Sequence, residues 1–269
     1  LVGSEMCIRD RSTYGDTSVE EINHGFFSEK VLEAIEERKT IILPVFSLGR
    51  SQEILLRLKE LQDTNKLDVN IPIYFDGKLA QAYTALYCNS KILIDESKKD
   101  FFPRNLVAVN CEIREKLLQT DDCKIIVTTS GMGTYGPAQV YIPYFISKEN
   151  ALILFTGYTA EGSFGANLRN AEEGEIVKVG GLICKKFADV SYCNEFSAHA
   201  KSEELIELLK KFNNLRGVLI NHGQTETKDA FAEKILKEID ISEVGILNRE
   251  YFFRIGSYGI IKTLSTKFK

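Results

Sequence analysis

The sequence predicts an α/β fold with a mostly parallel β-sheet flanked by helices. Short apolar runs typical of buried strands alternate with segments whose apolar residues recur at helical spacing. Glycine-bearing loops follow several of these runs, as expected where strands pass into helices. The longest apolar runs stay well short of the roughly 18 residues that a membrane helix needs. Alternation of this kind is typical of helix-connected parallel strands.

Most of the alternation lies in the first part of the chain. Ser18 and Glu21 form a capping-box pattern that opens a helix ending near Lys39. Further helices are predicted after the turn at Arg50 and from Pro137. The predicted buried strands are 40–46, 71–75, 124–129 and 151–155.

The pattern changes beyond Gly174. Gly180-Gly181 joins two strand-like runs and predicts a hairpin, so we expect a domain boundary near Glu175. The predicted domains are 1–15, 16–175 and 176–269. The later predicted elements are strands at 176–179, 182–187, 217–221, 251–255 and 259–264, and helices at 202–212 and 227–239.

Composition excludes some classes of protein. A net charge of -4 argues against a protein held to nucleic acid by bulk charge, although it leaves room for a local basic groove. The six cysteines form no CxxC pair, so we expect reduced, buried thiols in a soluble, cytoplasmic protein. Residues 1–11 resemble a read-through artefact found in assembled environmental sequences, and we expect them to be non-native.

Two histidine segments carry the strongest chemical signal. His222 follows a strand and precedes Gly223, and a neutral imidazole at a strand end suits zinc. His199 follows a similar strand end and suits proton donation to a leaving alkoxide, because its unperturbed pKa is near 6.5. Ser197 is placed to donate a hydrogen bond to a phosphate oxygen. His24, inside the first predicted helix, is interpreted as structural, and a structural role also remains an alternative for the other two.

Ordered motifs resemble those of the β-CASP branch of the metallo-β-lactamase fold, and the chain is identified as an N-terminally truncated member. The motifs are STYGD at 12–16, PVFSLGRSQE at 44–53, SGM at 130–132, GYTAEG at 157–162, FSAHA at 196–200 and INHGQTE at 220–226. The implied fold is a β-CASP domain, followed by the C-terminal part of a metallo-β-lactamase αββα lobe.

The resemblance also implies a function, a zinc-dependent ribonuclease that acts on single-stranded RNA. In that family His222 would bind one of two zinc ions and His199 would act as the general acid. Arg50, Ser130 and Gly131 would contact the RNA backbone, as guanidinium groups and glycine amides often do. A homodimer is left open, and no membrane association is expected.

The chain also departs from the family pattern. The HxHxDH zinc motif is absent, Arg11 stands where the family has an acid before STYG, and Gln224 replaces a frequent glutamate. We therefore expect this chain alone to be inactive and the missing ligands to lie upstream.

Three alternatives remain at this point. A member with degraded metal motifs would be a non-catalytic scaffold subunit of an RNA-processing complex. Gly131, Gly133 and Gly136 also match a dinucleotide-binding fingerprint, although the strand at 151–155 ends without the expected carboxylate. For Arg50, the alternative is a surface ion pair.

Overall fold

The structure is a computed structural model that divides into two compact units. It describes residues 7–11, 24–89, 101–157, 159, 163–179, 181–196, 200–221, 223, 225–241, 243–247, 251–256 and 259–264. The large unit comprises Asn23–Ser197, and the small unit comprises Leu1–Ile22 and Ala198–Lys269.

The described chain alternates between strands and short helices, as the sequence predicts. The strands are β1 (Cys7–Arg11), β2 (Thr40–Pro44), β3 (Ile73–Asp76), β4 (Leu106–Ala108), β5 (Lys124–Thr128), β6 (Ala151–Phe155), β7 (Ile176–Val179), β8 (Leu182–Lys185), β9 (Asp189–Tyr192), β10 (Gly217–Asn221), β11 (Glu243–Ile246), β12 (Tyr251–Gly256) and β13 (Gly259–Leu264). The helices are α1 (Phe26–Glu36), α2 (Arg50–Asp63), α3 (Lys78–Asn89), α4 (Cys111–Leu118), α5 (Ala138–Phe145), α6 (Phe164–Arg169), α7 (Ser202–Lys210) and α8 (Thr225–Glu238).

The large unit is built on a six-stranded parallel sheet in the order β4-β3-β5-β2-β6-β9. All five residues of β2, β5 and β6 are buried, because helices cover both faces of a parallel sheet. This explains their continuous apolar sequences. The predicted α/β fold with a helix-flanked parallel sheet is confirmed.

Two apolar clusters show how each strand serves both faces. Ile41 and Leu43 of β2 pack on one face with α1, α2 and α3, whereas Ile42 packs on the other with α5 and α6. Successive side chains of a strand point to opposite faces, so one apolar run supplies both cores. The helix after β2 and the helix after β5 consequently leave the sheet on opposite faces.

The division between the two compact units does not coincide with the domain boundary near Glu175, which stays a prediction. The hairpin of β7 and β8 packs Val177 and Val179 into the large unit, and β9 then pairs in parallel with β6. The compact large unit consequently extends to Ser197. Strand β9 is short and mostly half-buried, so it lacks the continuous apolar signal of the central strands.

The small unit has its own apolar core between sheet and helices. Strands β1, β10 and β11 form a parallel sheet, and β12 pairs with β13 in an antiparallel hairpin. Leu205 and Leu209 of α7 and Phe231 and Ile235 of α8 pack with Val218 of β10. An amphipathic helix buries its apolar stripe in this way.

Some local expectations are corrected. His24 lies in an exposed turn before α1 and not inside a helix, and the capping residues Ser18 and Glu21 lie outside the described residues. The cysteines described with side chains are free, as expected, but only Cys123 and Cys193 among them are buried, whereas Cys88 and Cys184 are half-buried and Cys111 is exposed. In the described part of the chain, no helix combines the length and hydropathy needed to cross a membrane.

Candidate functional site

The motif loops of the large unit meet at one edge of its sheet. Phe46 follows β2, the loop from Ser130 to Gly136 follows β5, Gly157 follows β6 and Phe196 follows β9. All these strands are parallel, so their carboxyl ends lie at the same edge. Ligands of open α/β sheets bind at this edge, and preferentially where successive connections leave to opposite faces.

Phe46 is packed between two of these loops. A Cβ added to Gly131 would lie 3.0 Å from both the backbone N and the ring Cδ2 of Phe46, and one added to Gly157 would lie 3.3 Å from its Cε2. Glycine is therefore required at 131 for the two loops to approach each other. Phe46 as a residue nevertheless remains 38% exposed, so it presents an aromatic side chain at the carboxyl edge.

The predicted substrate loop is held in shape by its own hydrogen bonds. The amide of Ser130 donates to Tyr135 O at 2.9 Å, and the hydroxyl of Ser130 accepts from the Tyr135 amide at 3.1 Å. The carbonyl of Ser130 accepts from the amide of Gly133 at 3.0 Å. Within the described residues, the buried Gly131 amide donates to no acceptor. A preformed loop with such a donor suits an anionic oxygen.

The glycines of the dinucleotide fingerprint have packing roles. A Cβ at Gly133 would lie 2.9 Å from side-chain atoms of Ile142 and Phe164, and one at Gly136 would lie 2.9 Å from Thr129 O. After β6 the chain continues with Thr156 and Gly157, so no carboxylate follows that strand directly. The fold therefore accounts for these glycines without a dinucleotide.

Arg50 lies at the start of α2 but does not point freely into solvent. Its side chain is 11% exposed and pairs with Glu53 at 3.3 Å. An ion pair, the alternative role for Arg50, is therefore present, but the guanidinium side of it is mostly buried. Its Nη2 also donates to the carbonyl of Phe196. Burial raises the pKa of Glu53, an effect that the neighbouring charges of Arg50 and Arg57 oppose.

A carboxylate that the sequence analysis missed lies beside Phe196. Oε2 of Glu195 accepts from the amides of Gly25 at 2.9 Å and Phe27 at 3.3 Å, at the amino end of α1. A carboxylate at a helix amino terminus satisfies unpaired N–H groups and favours the helix dipole. The only signal in the sequence is that Glu195 directly precedes the FSAHA motif.

A second missed group lies at the end of β3. Asp76, 1% exposed, accepts from Arg114 Nε at 2.7 Å, Arg114 Nη2 at 2.8 Å and Tyr141 OH at 2.8 Å. Burial raises the pKa of Tyr141, and so does its hydrogen bond to Asp76. The group ties α4 and α5 to β3. The sequence signal that could have revealed this group is the acidic residue directly before Gly77, at the end of a predicted strand.

A cavity of about 250 Å³ lies at the opposite edge of the sheet and contains no predicted site residue. It is lined by Lys30, Glu33, Ala34, Glu37, Lys39, Leu152, Asp189, Val190 and Ser191. Leu152 and Asp189 lie at the amino ends of their strands, whereas ligands of parallel sheets bind at the carboxyl ends. The motif loops are therefore the better candidate site.

The remaining predicted site residues, Ser197, His199 and His222, lie outside the described residues. Among the residues that the structure describes, no three His, Cys, Asp or Glu side chains come together in a group that could hold a metal ion. The described donors alone do not fit zinc, which needs about three protein ligands or more.

Comparison with known proteins identifies the family. The family model described as Beta-Casp domain matches residues 51–168, and the model described as Zn-dependent metallo-hydrolase RNA specificity domain matches residues 187–244. The first match contains the Ser130 loop and the second contains both histidine motifs. The chain belongs to the β-CASP family. The resemblance predicted from the motifs is confirmed.

The relatives of this β-CASP chain include archaeal and eukaryotic proteins. It is 35% identical to an RNase J-like protein of Methanocaldococcus jannaschii over 79% of this chain and 50% of the relative. It is 26% identical to RNase aCSPSF2 of Saccharolobus solfataricus, over 90% of this chain and 47% of the relative. It is 24% identical to an Integrator complex subunit 11 homolog of Dictyostelium discoideum, over 80% of this chain and 30% of the relative. The chain thus spans half the length of these relatives or less.

Proposed function

We propose that the full-length protein is a zinc-dependent ribonuclease that hydrolyses phosphodiester bonds of single-stranded RNA. The observation that carries the proposal is the presence, in order on one chain, of a Beta-Casp domain and an RNA specificity domain named for zinc-dependent metallo-hydrolases. Relatives named as RNases support it. His222 would be a ligand to one of two zinc ions, which would supply the water-activating charge.

The described residues have a binding role in this proposal. The Gly131 amide and the Ser130 loop lie beside the exposed side chain of Phe46, at the edge where the motif loops meet. Backbone N–H groups suit phosphate oxygens, and an aromatic face suits an unpaired base. Ser197 would add a hydroxyl donor. His199 would hold the proton that the departing oxygen takes up.

The decisive experiment is an RNA cleavage assay on the full-length protein. We expect single-stranded RNA to be cleaved and duplex RNA of the same sequence to be cleaved more slowly, since only unpaired bases can stack on Phe46. RNA binding without cleavage at any zinc concentration would instead favour the non-catalytic scaffold.

A tryptophan in place of Phe46 would report RNA binding directly. The chain has no tryptophan, so Phe46→Trp introduces a single tryptophan into it, and we expect single-stranded RNA to quench the tryptophan emission by stacking. Phe46→Leu should weaken RNA binding by about tenfold.

Val69→Trp is the matched control for this reporter. Val69 is 40% exposed, close to the exposure of Phe46, but it precedes β3 on the amino side of the sheet. Equal quenching of both fluorophores would show that RNA does not bind preferentially at the carboxyl edge.

A further inference from the structure

Phe196 lies at the centre of a group that we call the Phe196 cluster, formed by Phe27, Arg50, Arg57 and Phe196. The rings of Phe27 and Phe196 meet edge to face, with centroids 5.2 Å apart and planes at 78°. The guanidinium carbon atoms of Arg50 and Arg57 lie 5.3 and 6.0 Å from the Phe196 ring centroid. Phe196 is 5% exposed, so these contacts are largely shielded from water.

The backbone around Phe196 is held as firmly as its ring. The Phe196 carbonyl accepts from Arg50, and the Cys193 amide donates to Phe155 O at 2.8 Å. Between these points, the Glu195 carboxylate accepts from amides at the start of α1. Residues 193–196 are thereby tied to α1, α2 and β6. This is the chain that leads into Ser197 and His199.

The state of Arg50 favours a structural task over phosphate binding. Its side chain is almost nine-tenths buried. Its Nη2 donates to the Phe196 carbonyl, and its Nη1 forms the ion pair with Glu53. Guanidinium groups bind phosphate most strongly through a free pair of parallel N–H groups. Here the negative Glu53 already offsets part of the charge.

We propose that Arg50 is a positioning residue: through the Phe196 carbonyl and ring it fixes residues 193–196, which precede His199 in the sequence, and it does not bind an RNA phosphate. The role of His199 in this statement rests on the proposed function. A displacement of about 1 Å in a catalytic group can cost on the order of a hundredfold in rate. Loss of Arg50 therefore acts on the chemical step and leaves RNA affinity unchanged.

The salt dependence of RNA binding separates positioning from phosphate contact. For single-stranded nucleic acid, each phosphate contact contributes about 0.7 to the slope of log affinity against log salt. We expect Arg50→Gln to keep the wild-type slope and affinity, while cleavage at saturating RNA slows by about tenfold to a hundredfold. A slope reduced by about 0.7, with weaker binding and an unchanged maximal rate, would overturn the proposal.

The matched control is Arg104→Gln. The Arg104 side chain is 64% exposed, pairs with Asp63 at 3.2 Å and lies outside the Phe196 cluster. We expect it to cleave RNA at close to the wild-type rate. Arg50→Lys is the second variant. Lysine keeps the positive charge but lacks the planar guanidinium group. The cleavage rate of Arg50→Lys should therefore lie between those of the wild type and Arg50→Gln.

A thiol provides a readout that needs no RNA cleavage. Cys193 is buried, and burial raises its pKa to about 12, so it should react slowly with thiol reagents at pH 8. Loss of the Arg50 hydrogen bond should make local opening, and hence Cys193 labelling, about tenfold faster or more. Exposed Cys111 is the internal reference, because its labelling should not change.

The two readouts distinguish the failure of each hypothesis. If the wild-type protein does not cleave RNA, the proposed function fails, and Cys193 labelling still tests whether Arg50 holds the segment. If Arg50→Gln and Arg50→Lys both label at the wild-type rate, the positioning role of Arg50 is wrong even when the protein is an active ribonuclease. Circular dichroism of each variant confirms that the fold is retained.

Discussion

Replacing His199 by alanine in the full-length protein is expected to slow RNA cleavage by about 10²- to 10⁴-fold and to leave the zinc content unchanged. The physical reason is that a departing alkoxide needs a proton, and an imidazole near neutral pH can donate one. Removing the imidazole takes away this donor without removing a metal ligand. The measurements are the single-turnover cleavage rate and metal analysis of the same preparation.

Two further histidine variants complete this experiment. His222→Ala should lower the zinc content, because it removes a proposed ligand, and should lose activity as a consequence. His24→Ala is the control, since His24 is exposed in a turn before α1 and should affect neither quantity. Equal zinc loss in the variants at 199 and 222 would contradict the separate roles assigned to them.

Replacing Asp76 by alanine is expected to lower the free energy of unfolding by about 3–5 kcal/mol. The change removes the acceptor of three hydrogen bonds and leaves the partly buried guanidinium of Arg114 and the buried Tyr141 hydroxyl without it. A buried polar group that is left without a hydrogen-bond partner destabilises the fold by its full desolvation penalty. Urea denaturation of the variant and the wild type measures the difference.

Asp121→Ala is the matched control for the buried carboxylate. Asp121 also pairs with a cation, Lys148, but its side chain is 57% exposed, so the loss should be about 1 kcal/mol or less. Tyr141→Phe should cost less than Asp76→Ala, at about 1.5–3 kcal/mol, because it removes one hydrogen bond to a charged group. Similar losses in Asp76→Ala and Asp121→Ala would argue against an important buried network.

The central strands were predictable because burial on both faces demands continuous apolar sequence. Strands β2, β5 and β6 meet that demand in every residue. Strand β9 does not, because an edge strand is covered less completely, and its Asp189-Val190-Ser191-Tyr192 sequence carries no clear period. The compact large unit therefore extends past Glu175 to Ser197, whereas the two family-model matches, which end at residue 168 and begin at residue 187, lie on either side of Glu175.

The candidate site was predictable as a set of motifs but not as a set of contacts. The residues of the motifs and their order along the chain identified the family, which the domain matches confirm. The partners of Arg50 and Glu195 come from residues far away in the chain, and single-sequence patterns carry no information on such pairs. The roles of Ser197, His199 and His222 stay predictions, since these residues lie outside those that the structure describes.

The position of β9 has a consequence for synthesis of the protein. Its sequence follows the β7–β8 hairpin, so the parallel sheet remains one strand short until Tyr192 has emerged from the ribosome. Domains generally fold as units during translation, amino-terminal parts first. The nascent chain therefore completes the sheet that carries the motif loops just before it acquires His199, the proposed proton donor. A truncated mRNA that ends before the β9 codons would encode neither the complete sheet nor His199.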